Sequence, residues 1–261
     1  MRALIPYFVL REIPMGPFHP ATFGLSGVLA VTLGLLIATR QARRRGLDTR
    51  PLADAAFWAV LVGCLAAHLV HVLLYHPEEL HQNGALQLVR FWDGLASTGG
   101  VAGGLLALVV YFRIRRLPFA RYADSIALGV TPGWAVGRIG CFLIHDHPGA
   151  RTTFPLAVRF PAGARHDLGL DEALLLIALT ALLWVLSRRR WFEGRLTAVL
   201  GLTYGLGRLG LDFLRATDLS YVDPRYFGLT PAQYGCLAIM AYGAWALRGG
   251  SKRPVEVLPG T

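Results

Sequence analysis

The sequence predicts an all-α polytopic membrane protein with seven transmembrane helices, its N-terminus outside and its C-terminus in the cytoplasm. Three observations lead there. Of the 261 residues, 54% are hydrophobic and only 16% charged, and the mean hydropathy is positive. The apolar residues gather in runs that approach the roughly 20 residues a helix needs to cross a hydrocarbon layer, whereas a soluble helix breaks its apolar stretch every few positions to keep a wet face. The basic residues alternate between rich and poor connections, as expected when Lys and Arg are retained on the cytoplasmic side.

The spans fall at residues 22–39, 52–75, 98–112, 122–144, 170–187, 196–211 and 231–247. The apolar run over residues 3–10 is too short for a cleavable signal and is closed by Arg11 and Glu12, so the first span directs insertion itself. The third span is short, and its glycine-rich approach over residues 94–104 is expected to enter the membrane as a partly irregular segment. Pro132-Gly133 in the fourth predicts a kink or break. Sixteen of the 26 Lys and Arg lie in the first, third and fifth connections and the tail: Arg40 to Arg50, Arg113 to Arg121, Arg188 to Arg195, and Arg248, Lys252 and Arg253. Eight lie on the opposite side, and two, Arg138 and Arg208, fall inside spans. The outer connections, 76–97, 145–169 and 212–230, are longer and richer in turn residues, so an active site is expected to open toward that side. Without repeats or low-complexity segments, residues 1–249 read as one membrane domain and 250–261 as a short cytoplasmic tail.

The formal charge of +10 does not point to nucleic acid, because the basic residues sit in short clusters between apolar segments instead of forming one patch. Cys64, Cys141 and Cys236 are odd in number and lie within or at the ends of apolar stretches. They read as small buried hydrophobes and not as a disulfide framework.

An ionisable group in hydrocarbon costs a few kcal/mol on insertion scales and so calls for a reason. Arg138 sits in Gly137-Arg138-Ile139-Gly140-Cys141, where glycines allow a neighbouring helix or a headgroup close to the backbone. Arg208 follows Tyr204-Gly205-Leu206-Gly207, with Asp212 four residues on. Two guanidinium groups near one leaflet suit a phosphate, since each planar fork offers bidentate donors. The plainer alternative pairs Arg208 with Asp212 on its own helix face and lets Arg138 snorkel to the interface. The histidines form a second group: His68 and His71 on the second span, and His145-Asp146-His147 where the fourth ends. They can act as metal ligands if the two segments meet, or as hydrogen-bonded imidazoles in a polar cavity, one of them a general base. Cys141, four residues before His145, makes a Cys-His pair a further reading.

At these residues the sequence resembles the prolipoprotein diacylglyceryl transferase family, bacterial inner-membrane enzymes that move a diacylglyceryl group from phosphatidylglycerol to the lipobox cysteine of a preprolipoprotein. The likeness runs from about Met15 to Tyr242 and is carried by ordered blocks. Gly16, Phe23-Gly24 and Arg43 to Asp48 resemble its opening, and Trp92 to Gly100 its glycine-rich block. Ala123-Asp124, then Gly137 to Phe142 closing at Gly149, resemble its GRxGNFxNxExxG signature. Arg165 to Leu175 resembles HPxQLYEALL; Tyr204 to Arg208, Asp212, Arg215 and Leu229 to Gln233 resemble the closing YGxxRFxxExxR and LTxxQ elements.

The resemblance implies that Arg138 and Arg208 face the lipid headgroup, that Tyr204 lines the same site, that Glu172 and Asp212 orient the arginines, and that Gly99, Gly100, Gly137, Gly140 and Asp146 border the substrate. It implies no cofactor. The thiol would attack the glyceryl carbon bearing phosphate, and glycerol phosphate would leave. Departures accompany it: Thr98 stands where the family carries a histidine before its Gly-Gly, Cys141 and Ile144 replace the asparagines of the signature, and Asp146 replaces its glutamate. His145 and His147, with His68 and His71, are the candidates to replace the missing base. The alternatives are a different acceptor for the same lipid donor, or a non-catalytic lipid- or metal-binding membrane protein.

Overall fold

The computed structural model describes residues 5–91, 94–188, 194–219 and 222–249. The predicted tail, Trp92 and Asp93 of the glycine-rich block, and Arg189 and Arg190 lie outside the described residues. Seven long helices follow the expected order: α1 (Thr22–Arg44), α2 (Arg50–Val70) continued by a π-helical turn (His71–Tyr75), then, after the short α3 (Pro77–Asn83) and a 3-10 turn (Gly84–Val89), α4 (Ser97–Ile114), α5 (Phe119–Ile144), α6 (Leu168–Ser187), α7 (Arg195–Asp212) and α8 (Pro231–Gly249). Arg43, Arg44 and Arg113, counted above as cytoplasmic, close α1 and α4, where a cation complements the helix dipole.

Five helices combine the length and apolarity needed to cross a membrane: α1, α2 with its π turn, α4, α5 and α6. The other two are more polar. α7 carries Arg195, Arg208 and Asp212, and α8 opens on Gln233 and Tyr234. In α1, α2 and α4 only 22% of the apolar window is buried within the protein, against 50% in α5, so α5 is the central helix and the others present Val28, Leu36, Phe57, Trp58 and Leu106 outward.

α1 packs on α5, α2 on α4 and α7 on α8, with α6 between α5 and α7. Small residues set these approaches. A Cβ on Gly129 would lie 2.2 Å from the Gly34 carbonyl oxygen, and one on Gly133 would lie 2.5 Å from that of Ala30, so α1 and α5 meet backbone to backbone. This contact corrects the expected break at Pro132-Gly133: α5 runs unbroken through Pro132, and Gly133 serves to admit α1. The approach to α4 is likewise less irregular than expected, with helix from Ser97 onward.

The all-α expectation also needs correcting. A four-stranded sheet of β1 (Ile5–Pro6), β2 (Pro148–Arg151), β3 (Val158–Phe160) and β4 (Gly163–Asp167), in the order β1-β3-β4-β2, joins the segment before α1 to the connection between α5 and α6, with β1 parallel to β3 and the other pairs antiparallel. Its strands hold two to five residues, too few to display an alternating pattern in sequence. Backbone contact of Ala150 N with Leu214 O (2.7 Å) joins it to the end of α7.

Candidate active site

Positions 204, 208 and 212 recur at four-residue spacing, so Tyr204, Arg208 and Asp212 share one face of α7. That face meets Arg138 of α5 and Glu172 of α6. All five side chains are buried, Glu172 and Asp212 almost completely. Glu172 Oε2 lies 3.1 Å from Arg138 Nε and 3.2 Å from Arg208 Nε, while Tyr204 Oη donates to Oε1 at 2.8 Å. Arg208 Nη1 donates to Asp212 Oδ1 (2.8 Å), which also accepts from Arg215 Nε (2.6 Å); the Thr230 hydroxyl bonds Asp212 Oδ2, and Arg215 continues to Asp223. The result is an alternating chain, Arg138, Glu172, Arg208, Asp212, Arg215, Asp223. A buried ion costs several kcal/mol when unpaired, and here each cation has an anionic neighbour.

Both halves of the plainer sequence reading can now be separated. Arg208 does pair with Asp212 within its own helix, but Arg138 does not snorkel: it is 5% exposed and turned toward Glu172. The Arg138 Nε contact with Glu172 is an ion pair only, since that Nε–H is buried without a hydrogen-bond acceptor; Nη1 points to Cys141 Sγ at 3.9 Å.

The histidines divide. His145, at the left-handed residue that ends α5, places Nδ1 2.6 Å from Asp167 Oδ2 inside a cage of Tyr7, Phe8, Phe142 and Phe160. Asp167 also caps α6 by accepting from Leu170 N (3.1 Å); burial pushes its carboxyl up from the usual range, opposed by these hydrogen bonds. His147 instead meets Asp146 through Nδ1 in the loop after α5, partly exposed, with a ring nitrogen within 4.8 Å of Cys141 Sγ. The His145-Asp146-His147 run therefore supplies two imidazoles with different partners. His68 is fully buried, its two ring nitrogens 3.0 and 2.9 Å from the carbonyl oxygens of Gly94 and Gln87. His71 joins a separate group with His76 and Glu79. The two histidine segments do not share a metal-sized cluster among the described residues.

Thr98 opens α4 and bonds the Tyr75 hydroxyl at 3.0 Å; the charges of Arg215, Asp223 and Asp212 reach Tyr75. Thr98 is thereby linked to a tyrosine within reach of the arginine chain. Gly99 and Gly140 are packing contacts: a Cβ at Gly99 would strike Ala66 O (2.4 Å) of α2, and one at Gly140 would strike Ser26 Oγ (1.9 Å) of α1. Gly100 and Gly137 meet only ordinary contacts, at 3.7 Å or more. Tyr75 and Asp223 were not singled out in the sequence, and Asp167 and Thr230 stood there only within the blocks Arg165 to Leu175 and Leu229 to Gln233, with no role given to either. The physical signal for Asp167 was an Asp just before an apolar helical run.

A family model described as prolipoprotein diacylglyceryl transferase matches residues 9–248. Three relatives are named phosphatidylglycerol–prolipoprotein diacylglyceryl transferase. That of Thermosynechococcus vestitus is 30% identical over 86% of each chain. That of Nitratidesulfovibrio vulgaris (strain Miyazaki F) is 29% identical over 93% of this chain and 95% of its own. That of Nitrosomonas europaea is 31% identical over 97% and 96%.

Proposed function

The chain belongs to the prolipoprotein diacylglyceryl transferase family, and from that premise we propose that it transfers the diacylglyceryl group of phosphatidylglycerol to the cysteine thiol of a prolipoprotein. A carbon–sulfur bond forms at the glyceryl carbon, the bond from that carbon to the phosphate oxygen breaks, and glycerol phosphate leaves. The observation that carries this reading is the convergence of Arg138 and Arg208 on Glu172 Oε2, with the Nε–H of Arg138 left without an acceptor. Two guanidinium groups so arranged can receive the headgroup phosphate and neutralise the charge that grows on it as the bond breaks. Tyr204 holds the other oxygen of Glu172, and Asp212 holds Arg208, so neither arginine has to be reordered when lipid arrives.

His147 is the base that takes the thiol proton, oriented by Asp146. Its ring lies near Cys141, which in turn touches Arg138, so an imidazole at the outer rim faces the same end of α5 as the phosphate site. His145 is a positioning residue, joining the outer ends of α5 and α6 through Asp167. Gly99 and Gly140 act by closing helix pairs, which sets the height of Thr98 and Arg138; Gly100 and Gly137 keep the wall beside the headgroup low.

The reading includes seven spans formed by the seven long helices, the N-terminus outside, the C-terminus in the cytoplasm, residues 1–249 as one domain, and a place in a bacterial inner membrane. The distribution of basic residues supports it.

The test supplies purified protein with phosphatidylglycerol labelled in the diacylglyceryl part and a lipobox peptide, and reads labelled peptide and released glycerol phosphate. Transfer that falls by roughly 10²–10³-fold in R138A and R208A is expected. No transfer under conditions where the Nitrosomonas europaea relative is active would overturn the proposal. The Thr98–Tyr75 pair, standing where the family carries histidine, favours one second reading, the same lipid donor with a different acceptor; lipid hydrolysis or transfer to non-lipobox thiols would mark it.

A further inference from the structure

His71 opens the π turn that ends α2, His76 joins that turn to α3 and Glu79 lies in the first turn of α3, and one donor atom of each lies within 4.8 Å of the other two. From this cluster we infer that the outer rim carries a binding site for one borderline divalent cation of the zinc type, separate from the lipid site. Two imidazoles and a carboxylate are a donor set for zinc and its neighbours in the first transition row, whereas magnesium and calcium prefer oxygen alone.

The Nε2 atom of His71 is buried and makes no hydrogen bond, which for a polar atom calls for a partner. It stands 3.9 Å from Glu79 Oε2. The space in front of it is kept open by Gly94, since a Cβ there would stand 2.2 Å from Nε2. Donors around a tetrahedral zinc stand roughly 3.3 Å apart, given bonds of about 2.0 Å, so small side-chain rotations complete the set.

Supporting hydrogen bonds are also present. Glu78 Oε1 lies 3.0 Å from Nδ1 of His76, a carboxylate–imidazole contact of the kind that orients a metal-bound histidine. Gln87 Nε2 donates to Glu79 Oε2 at 2.9 Å and is itself held by Asn83 through Oε1. The local charge favours a cation, because Glu78 and Glu79 sit in the first turn of α3. The other compact group, Cys141, Asp146 and His147, has the opposite setting: Cys141 Sγ is 3.9 Å from the Arg138 guanidinium, which repels a cation.

Full-length protein in detergent, purified through a histidine-free tag and stripped with a chelator, should retain one zinc per chain after zinc is added and excess removed, as counted by elemental analysis. Cobalt in its place should give the absorption bands of a low-coordinate site. H71A and E79Q should each weaken binding at least tenfold by titration calorimetry, while H147A leaves it unchanged. E79Q preserves side-chain shape, and thermal melting of each variant separates lost ligand from lost fold. Absence of stoichiometric zinc in the wild type, equal binding in all variants, or loss in H147A but not in H71A would each overturn the site.

Discussion

Arg138 on α5 and Arg208 on α7 present their Nε atoms to the same oxygen, Oε2 of Glu172, at 3.1 and 3.2 Å. One carboxylate thus faces two buried cations and has its remaining oxygen occupied by Tyr204. A third anionic group that enters this site meets two guanidinium forks already fixed in position, which lowers the ordering cost of binding.

E172Q keeps the shape of the side chain and removes its charge. Leaving a buried ion without its partner costs about 3–5 kcal/mol, so the variant is expected to melt well below the wild type in detergent. Adding R138A removes one of the stranded cations, and the double variant should lose less stability than the sum of the single losses. Additive losses would mean that Glu172 and Arg138 are not coupled.

Removing Arg138 or Arg208 alone is expected to reduce turnover by roughly 10²–10³-fold, the scale seen when one preorganised charge-stabilising donor is lost. R138K and R208K should recover part of it, because they restore charge without the planar fork. Turnover unchanged in R138A, measured in steady-state transfer assays, would remove Arg138 from the phosphate site.

His147→Ala should lower turnover on the acceptor with little change in the apparent affinity for lipid, and Asp146→Asn should do so more weakly, since it only orients the ring. His145→Ala should act differently: an empty aromatic cage and a released Asp167 lower the melting temperature. If H145A alone lowers turnover at unchanged melting temperature while H147A does not, the base is His145.

The helices were legible because hydrocarbon imposes one requirement, long apolar runs, and sequence displays it directly. The same logic singled out Arg138 and Arg208, whose charge contradicts their surroundings. Glu172 was less visible: it lies near the start of α6, where a carboxylate looks like an ordinary outer-loop residue, and only the packing of α6 against α5 and α7 makes it a shared counter-charge. The sheet and the aromatic cage of His145 depend on Ile5 to Phe8 folding back over strands far along the chain, a pairing with no local pattern. The histidines were legible as a class, but not in their partners. His68 and His71 share a helix face, yet the π turn begins at His71 and sends it to His76 and Glu79, while His68 is taken by the carbonyls of Gly94 and Gln87.

The proposed seven-span topology predicts where reporters work. Fusions after Arg116, after Arg188 and at Gly249 should be active only with a cytoplasmic reporter, and an insertion near Arg159 only with an external one. External activity at Gly249 would require either an even number of spans or the inverse orientation, and would overturn the proposed topology.

Arg165 and Asp218 predict an acid-sensitive joint between the sheet and the loop after α7. Arg165 is buried and donates Nη1 to Gly149 O (3.1 Å) and Asp218 Oδ1 (2.7 Å), and Nη2 to Asp218 Oδ2 (2.6 Å). The hydrogen bonds from Arg165 come first among the causes that hold the Asp218 carboxyl down at about 2, against the ordinary 3.8. Because the folded state favours the ionised form, the joint is fully stabilised above pH 3.8 and loses that support as pH falls toward about 2. Hydrogen exchange over residues 212–219 should therefore quicken across that interval, and D218N should show the faster exchange already at neutral pH, with no further acid step from this pair. Identical pH dependence in wild type and D218N would show that another carboxylate governs the loop.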